Sequence, residues 1–357
     1  MSATVRTLRY LDEMRAEVNR QLDGDTRLLV AAWVRAWNTL NSEWRAAIDD
    51  LVDSAGPDRW PNRSQVLFAQ RTQIALAATA AHLDQLARLT ETTVVSTARR
   101  ISEEQAYWEA RIIASQLPAE TGPVRLLGDS FSDLALAAIV ERTTQQIESL
   151  RAPLAASTQE TMRRALIRGV ALGQNPRTTA ATMLRRSEQH FNGGLTRALN
   201  ISRTESLDAQ RLAAATYQQQ HRDVLAGWAW NAKLDARTCP SCWVQHGQLH
   251  PLTEPGPYDH QQGRCSRVPV TKTWAELGIA IPEPPSALPD AQQRFRNLPR
   301  AEQLAVMGPA RLQALDDGNI TWDQLSTRVT NPRWRPSYVA TSVQQVDRHV
   351  EIANAAG

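Results

Sequence analysis

The chain has 357 residues, 42% of them hydrophobic and 22% charged, and 40 Lys and Arg against 37 Asp and Glu leave a formal net charge of +3. That length admits two or three domains with a sizeable core. The small net charge argues against a dedicated nucleic-acid binder, and no apolar run approaches the ~18 residues of a membrane span.

The opening stretch, MSATVRTLRYLDEMRAEVNRQ, is charged throughout and lacks the apolar segment of a secretory signal, which points to a reducing cytoplasm. Three cysteines there favour free thiols or metal ligands over disulfides. Apart from Lys233 and Lys272 the Lys and Arg set is all arginine, which reads as the bias of a GC-rich genome.

The first hundred residues read as long helices. Asp25, after Gly24, is positioned to cap a helix whose apolar residues Trp33, Trp37, Leu40, Trp44, Ile48 and Leu51 fall on one face. The prolines of AGPDRWPN end it. From Ser64 to Gln116 there is neither Gly nor Pro, so one very long helix or two stacked ones are expected, with the β-branched run Thr90–Thr97 as the place for a break.

LPAETGP marks a boundary near residues 117–123, and a second helical block follows to His221, punctuated at Pro153, at Gly173–Pro176 and at Asn192–Gly194. After Asp223 the short aromatic and alternating stretches LAGWAWNAKLDARTC and WVQHGQLHPL suit small strands and a hairpin. A proline-rich linker, Ile281–Asp290, leads into a helical tail. The expected fold is mainly α, with long N-terminal helices (1–122), a helical middle (123–222), a small β-containing Cys/His subdomain (223–280), and a linker with a short helical tail (281–357). The N-terminal helices read either as plain core or as an elongated docking arm.

The segment Asp235–Cys265 holds all the cysteines. Cys239 and Cys242 form a C-x-x-C around Pro and Ser, a turn that can aim two thiolates at one ion. Zn²⁺ takes four ligands, and the chain adds Cys265 with His246, His250 or His260. The set read as ligands is Cys239, Cys242, His260 and Cys265, a structural zinc site stapling a segment with little apolar core of its own. The alternative is unligated thiols, with His246 and His250 as surface residues of the hairpin. A thioredoxin-like dithiol fits poorly, because no βαβ alternation surrounds the motif. A nuclease reading rests on the Asp259-His260 pair, which resembles the ββα-metal (HNH) nucleases, although no Asn and His follow on a helix. No nucleophile elbow, P-loop or dinucleotide fingerprint is present, so no catalytic residue is assigned.

Upstream lies ALNISRTESLDAQRLAAATYQQQ. Arg203-Thr204-Glu205, Trp230, Asp235, Arg237, Cys239, Cys242, Gly247, Pro257, His260 and Cys265 in this order resemble the Mu-F-like minor head proteins of tailed bacteriophages. The resemblance covers about Met162 to Leu325. One position departs from it: the family usually ends this region in Cys-Arg-Cys, where this chain has Gly263-Arg264-Cys265.

The resemblance implies a few-copy, non-enzymatic head component at the portal vertex, touching portal and major capsid proteins. It implies roles in head morphogenesis and in the fate of packaged DNA, with residence in the virion, and in the host cytoplasm during assembly. Arg203 and Glu205, two apart on a helix, do not face each other. Each is expected to tie its helix to another element, with Asp235–Arg237 as the expected partner. Arg163, Arg164, Arg168, Arg177, Arg185 and Arg186 form either a solvated face or a surface for DNA phosphates.

Overall fold

The computed structural model describes residues 3–55, 69–118, 133–151, 176–330 and 335–348. It is mainly helical with small antiparallel sheets, as the sequence leads one to expect. The long helices are α1 (Val5–Ala55), α2 (Gln70–Ala114), α3 (Asp133–Arg151) and α4 (Pro176–Gln220). The chain divides into two compact units, a helical one of Asn19–Ala98 and Val140–Ser206 and a mixed one of Met1–Val18, Arg99–Ile139 and Leu207–Gly357.

In the helical unit the apolar stripe of α1 forms the core as its spacing requires. Trp33, Leu40, Trp44, Ile48 and Leu51 are buried, with Trp37 packed against them, among Leu83 and Leu86 of α2 and Phe191 of α4. Each such side chain stabilises the unit by roughly 1.5–3 kcal/mol. Trp33 meets Phe191 edge-on with centroids 4.8 Å apart, and Trp44 donates its indole N–H to Thr79 Oγ1 at 3.0 Å.

Three expected interruptions are absent. Asp25 caps nothing: α1 runs straight through Gly24 and Asp25, because the buried Asp25 carboxylate accepts instead from Thr97 Oγ1 of α2 at 3.1 Å. The Thr90–Thr97 run does not break α2. Thr90 and Thr92 return their hydroxyls to the carbonyls of Leu86 and Arg88 at 2.8 and 2.9 Å, and Val94 is fully packed. Asn192–Gly194 likewise lies inside α4. The other punctuations, Pro153 and Gly173–Asn175, lie outside the described residues.

The mixed unit is built on a three-stranded antiparallel sheet of β1 (Leu225–Asn231), β2 (Leu249–His250) and β3 (Ser266–Thr271), ordered β2-β1-β3. Trp228 faces His250 across one edge of β1 and Trp230 faces Arg267 across the other. Gln116, just beyond α2, closes the open side of β3: its amide donates to the Pro269 carbonyl at 2.7 Å and accepts from the Thr271 N–H at 3.3 Å. An exposed strand edge is thereby paired without another strand.

The stretch WVQ, expected as strand, instead belongs to a short helix, α5 (Pro240–Gln245). Pro240 opens it, where the missing N–H costs nothing. The tail contains α6 (Ala291–Arg296), α7 (Arg300–Met307) and α8 (Pro309–Asp316). It also contains a two-stranded sheet, β4 (Ser326–Val329) with β5 (Ser337–Ala340), that the sequence did not announce. Trp228, Trp230, Trp243, Phe295, Met307 and Leu325 make the core of this part.

Beside that core is a buried polar chain. Gln105 and Gln218 donate to the two oxygens of Glu109 at 2.9 and 3.0 Å. Arg267 donates to Gln218 at 2.9 Å and lies 4.4 Å from the Trp228 ring centre. Burial lifts the Glu109 carboxyl to about 7.

Candidate metal centre

Cys239 ends the loop before α5, and Cys242 sits one turn later on that helix. Trp243 N–H bonds the Cys239 carbonyl at 3.1 Å, so this first turn fixes the separation of the two thiols. His260 enters from the loop between β2 and β3. The sulfurs of Cys239 and Cys242 and a ring nitrogen of His260 lie within 4.8 Å of one another. Cys265, at the foot of β3, falls outside that tight trio but lines the same cleft of about 270 Å³, together with Lys233, Arg237 and Arg264. The cleft gives a hydrated ion a way in.

The donors suit a soft, borderline cation. His260 Nδ1 donates to the Gln261 carbonyl at 2.8 Å, which leaves Nε2 as the ligating nitrogen. Hydrogen bonding from Cys242, and then from His260, brings the Cys239 thiol down to about 4. The same contact with Cys239 lifts the His260 imidazole to about 9. Both shifts run in the direction that sets a Cys239 thiolate beside a His260 imidazolium. Contacts with Cys239 and Cys265, followed by burial, push the Cys242 thiol up. Two guanidinium groups face the cysteines: Arg264 lies near Cys265 and Cys242, and the half-buried Arg15 of α1 lies near Cys265. Cys239, Cys242 and His260 can thus hold a metal, with Cys265 beside them.

A second structure holds the ligand loop in place. Asp259 is fully buried. Its Oδ2 accepts from Arg211 of α4 at 2.8 Å and from the Cys265 N–H at 3.1 Å, and its Oδ1 accepts from Arg335 at 3.2 Å. Arg211 also donates to the carbonyls of Gly263 and Cys265 at 2.8 and 2.9 Å and to Asp208 at 2.7 Å. Arg335 donates to both oxygens of Asp208, at 2.8 and 3.0 Å. Two carboxylates and two guanidinium groups thereby enclose the loop from 259 to 265.

This cage explains the departure at Gly263. A Cβ there would stand 2.0 Å from Asp259 Oδ2 and 2.2 Å from its Cγ, so no side chain fits at that position. It also weighs against the nuclease reading. Asp259 is committed to Arg211 and Arg335, and His260 to Cys239, so the pair does not form an open hydrolytic centre.

The remaining candidates scatter. His246 is buried, accepts from the Ala232 N–H at 3.0 Å through Nδ1, and is held down to about 4 by burial. His250 stacks on Trp228 with centroids 4.2 Å apart and meets Glu254 at 3.1 Å. Neither belongs to the ligand group, and neither is a free surface residue of a hairpin. Gly247 has φ +84° and donates to the Trp230 carbonyl at 2.8 Å, a turn that favours glycine.

Asp235 bonds Arg264 at 2.7 and 2.9 Å and Thr238 at 2.9 Å, which lowers its carboxyl to about 2, with Arg264 the main cause. Arg237 is mostly exposed. Arg203 donates to Asn19 of α1 at 3.0 Å, and Thr204 and Glu205 are buried in α4. Arg163, Arg164 and Arg168 lie outside the described residues, while Arg177, Arg185 and Arg186 lie on α4, where Arg185 is exposed.

Sequence reasoning missed Arg15, Arg211 and Arg335. Their positions carry no local signal, and a count of buried carboxylates near the cysteines is the one clue that leads to them.

No curated protein and no solved structure matches the chain. A family model does, described as phage Mu protein F like protein, over residues 160–268. The matched stretch takes in all of α4, β1, α5 and β2, the trio Cys239, Cys242 and His260, Cys265 and the start of β3. Over this segment the chain is similar to the phage Mu protein F like family.

Proposed function

We propose that this chain is a minor head protein of a tailed phage, acting in head morphogenesis by assembly and not by turnover. The match over residues 160–268 carries the reading. In it the chain docks at the portal vertex in few copies, touches portal and major capsid proteins through the long N-terminal helices, and resides in the virion, and in the host cytoplasm during assembly. Among the described residues no helix is long and apolar enough to cross a membrane. Packaged DNA is a further partner, met through its phosphates without sequence preference.

The Cys/His centre has a structural part in this reading. Cys239, Cys242, His260 and Cys265 hold one Zn²⁺, which ties α5 to the loop ahead of β3. The supporting observation is the donor set itself, with two thiols and an imidazole already gathered and its second nitrogen occupied by a backbone carbonyl. Zinc would supply charge neutralisation and a cross-link here, with no reaction routed through it.

Two measurements test the reading. Immunogold labelling or cryo-EM of particles should place the chain at one vertex, and a chain absent from purified heads would sink the assembly role. Metal analysis of the purified protein should give about one zinc per chain, reduced in Cys239→Ser. Magnesium-dependent plasmid nicking that His260→Ala abolishes would instead establish the nuclease.

A further inference from the structure

The start of α1 and the end of α2, both in the mixed unit, carry a cluster that the reading above leaves unused. Arg6 donates through Nε to the Tyr10 hydroxyl at 2.9 Å. The guanidinium carbons of Arg111, Arg9 and Arg6 lie 4.5, 5.3 and 5.5 Å from the centre of the same Tyr10 ring. Arg111 also stands 5.0 Å from the ring of Tyr107, whose hydroxyl it contacts, and Tyr107 is 43% exposed. Three cations thus converge on one buried phenol with an exposed aromatic ring beside them.

Among the described residues this charge is not balanced: Arg6 and Arg111 make no ion pair, and Arg9 has a loose one with Glu13 at 3.6 Å. The first turn of α1 contains no acidic residue, so the positive end of its helix dipole adds to the field instead of offsetting it. Hydrogen bonds from Arg6 and Arg111 bring the Tyr10 hydroxyl down to about 8, as a strongly positive surround does to a phenol. Cation–π contact returns roughly 0.5–1 kcal/mol per guanidinium at exposed sites and leaves the mutual repulsion of the three in place. An anion from outside would relieve it.

We propose that Arg6, Arg9 and Arg111, arranged around Tyr10, form a binding site for the phosphodiester backbone of nucleic acid. Arg6 and Arg9 are exposed and no wall encloses them, so a lone phosphate would gain little against water. A polyanion is different, because neutralising several phosphates at once releases condensed counterions. The exposed Tyr107 ring under Arg111 favours a nucleic-acid strand over an acidic polypeptide, since arginine with an aromatic face offers both a phosphate contact and a stacking surface. The site deepens the packaged-DNA part of the head-protein reading by giving the phosphates a place on the chain; its geometry does not involve zinc.

The test is fluorescence anisotropy of the full chain with a labelled oligonucleotide of about 20 nucleotides, across a salt series. The double variant Arg6→Gln/Arg111→Gln should weaken binding by about tenfold or more and reduce the salt slope by between one and two. A charge-matched control, Arg88→Gln/Arg300→Gln, removes arginines already paired with Asp84 and Asp316 and should leave both quantities near the parent values. Should the double variant misfold by circular dichroism, Arg9→Gln decides, with a loss of a few-fold expected.

Three results overturn the proposal. One is no binding of the oligonucleotide at low salt. Another is an equal loss in the control. The third is displacement of the oligonucleotide by polyglutamate as effectively as by unlabelled DNA, which would mark the site as one for acidic protein.

Discussion

The helical unit and the mixed unit are stabilised in opposite ways. In the first, periodic apolar stripes meet: Trp33, Leu40 and Trp44 of α1 pack on Leu83 and Leu86 of α2, and the polar additions, such as Thr79 on Trp44, are single hydrogen bonds. In the second, tryptophans share the interior with charged groups, among them Arg211, Asp259, Arg267 and Glu109. Periodicity can specify the first kind of core. The second is specified by which distant residues happen to complete one another, and its errors are costlier because an unmatched charge inside a protein is worse than a small void.

Removing one member from each core is the sharpest way to break that contrast. Arg211→Met leaves Asp208 and Asp259 with Arg335 as their one remaining shared cation, and about 3–5 kcal/mol of stability should be lost. Trp44→Ala should cost about 3–5 kcal/mol by cavity formation alone. The two differ in what rescues them. Urea melts of Arg211→Met with Asp259→Asn should recover part of the loss, because the repulsion disappears with the charge. If the double variant is no more stable than Arg211→Met, the cage is mere packing.

The second contrast is with pH. Glu109 has its carboxyl raised from 4.5 to about 7 by burial, so it stabilises the folded state most when protonated. Its contribution is fully present below about pH 4.5, declines as pH rises, and is lost above about 7, for a change on the order of 3 kcal/mol. Equilibrium melts of Glu109→Gln should lack this slope between those limits while keeping the shape elsewhere. An unchanged slope in the variant would assign the titration to another group.

The sequence made the helical unit legible because one face of a helix repeats every three or four residues, and Trp33 to Leu51 obey that repeat over five turns. It misled at Gly24-Asp25, at Thr90–Thr97 and at Asn192–Gly194. Residue types that break short helices were there overruled by packing and by side-chain bonds such as Asp25 with Thr97. In the mixed unit the C-x-x-C and His260 were legible because they are close in sequence and chemically rare. Arg15, Arg211 and Arg335 were not, since each reaches the site from another part of the chain and an arginine alone carries no address. The two-stranded sheet of β4 and β5 was missed for a related reason: strands of four residues show too little alternation to register.

Glycine gives the finest test of the comparison, since the same substitution should change sign between the units. At Gly263 a Cβ meets the Asp259 carboxylate at 2.0 Å, so Gly263→Ala must push apart the cage that holds His260 and Cys265. A loss of about 1–3 kcal/mol is expected, accompanied by weaker metal retention against a chelator. At Gly24, inside α1, a Cβ would meet nothing within 4 Å. Gly24→Ala therefore adds no clash, removes backbone freedom from the unfolded chain, and should stabilise by about 0.5–1 kcal/mol without altering metal content. A thermal melt of each variant checks the signs. If Gly24→Ala destabilises, Gly24 gives α1 a bend or close approach that its packing requires, and the simple picture of one straight apolar stripe fails there first.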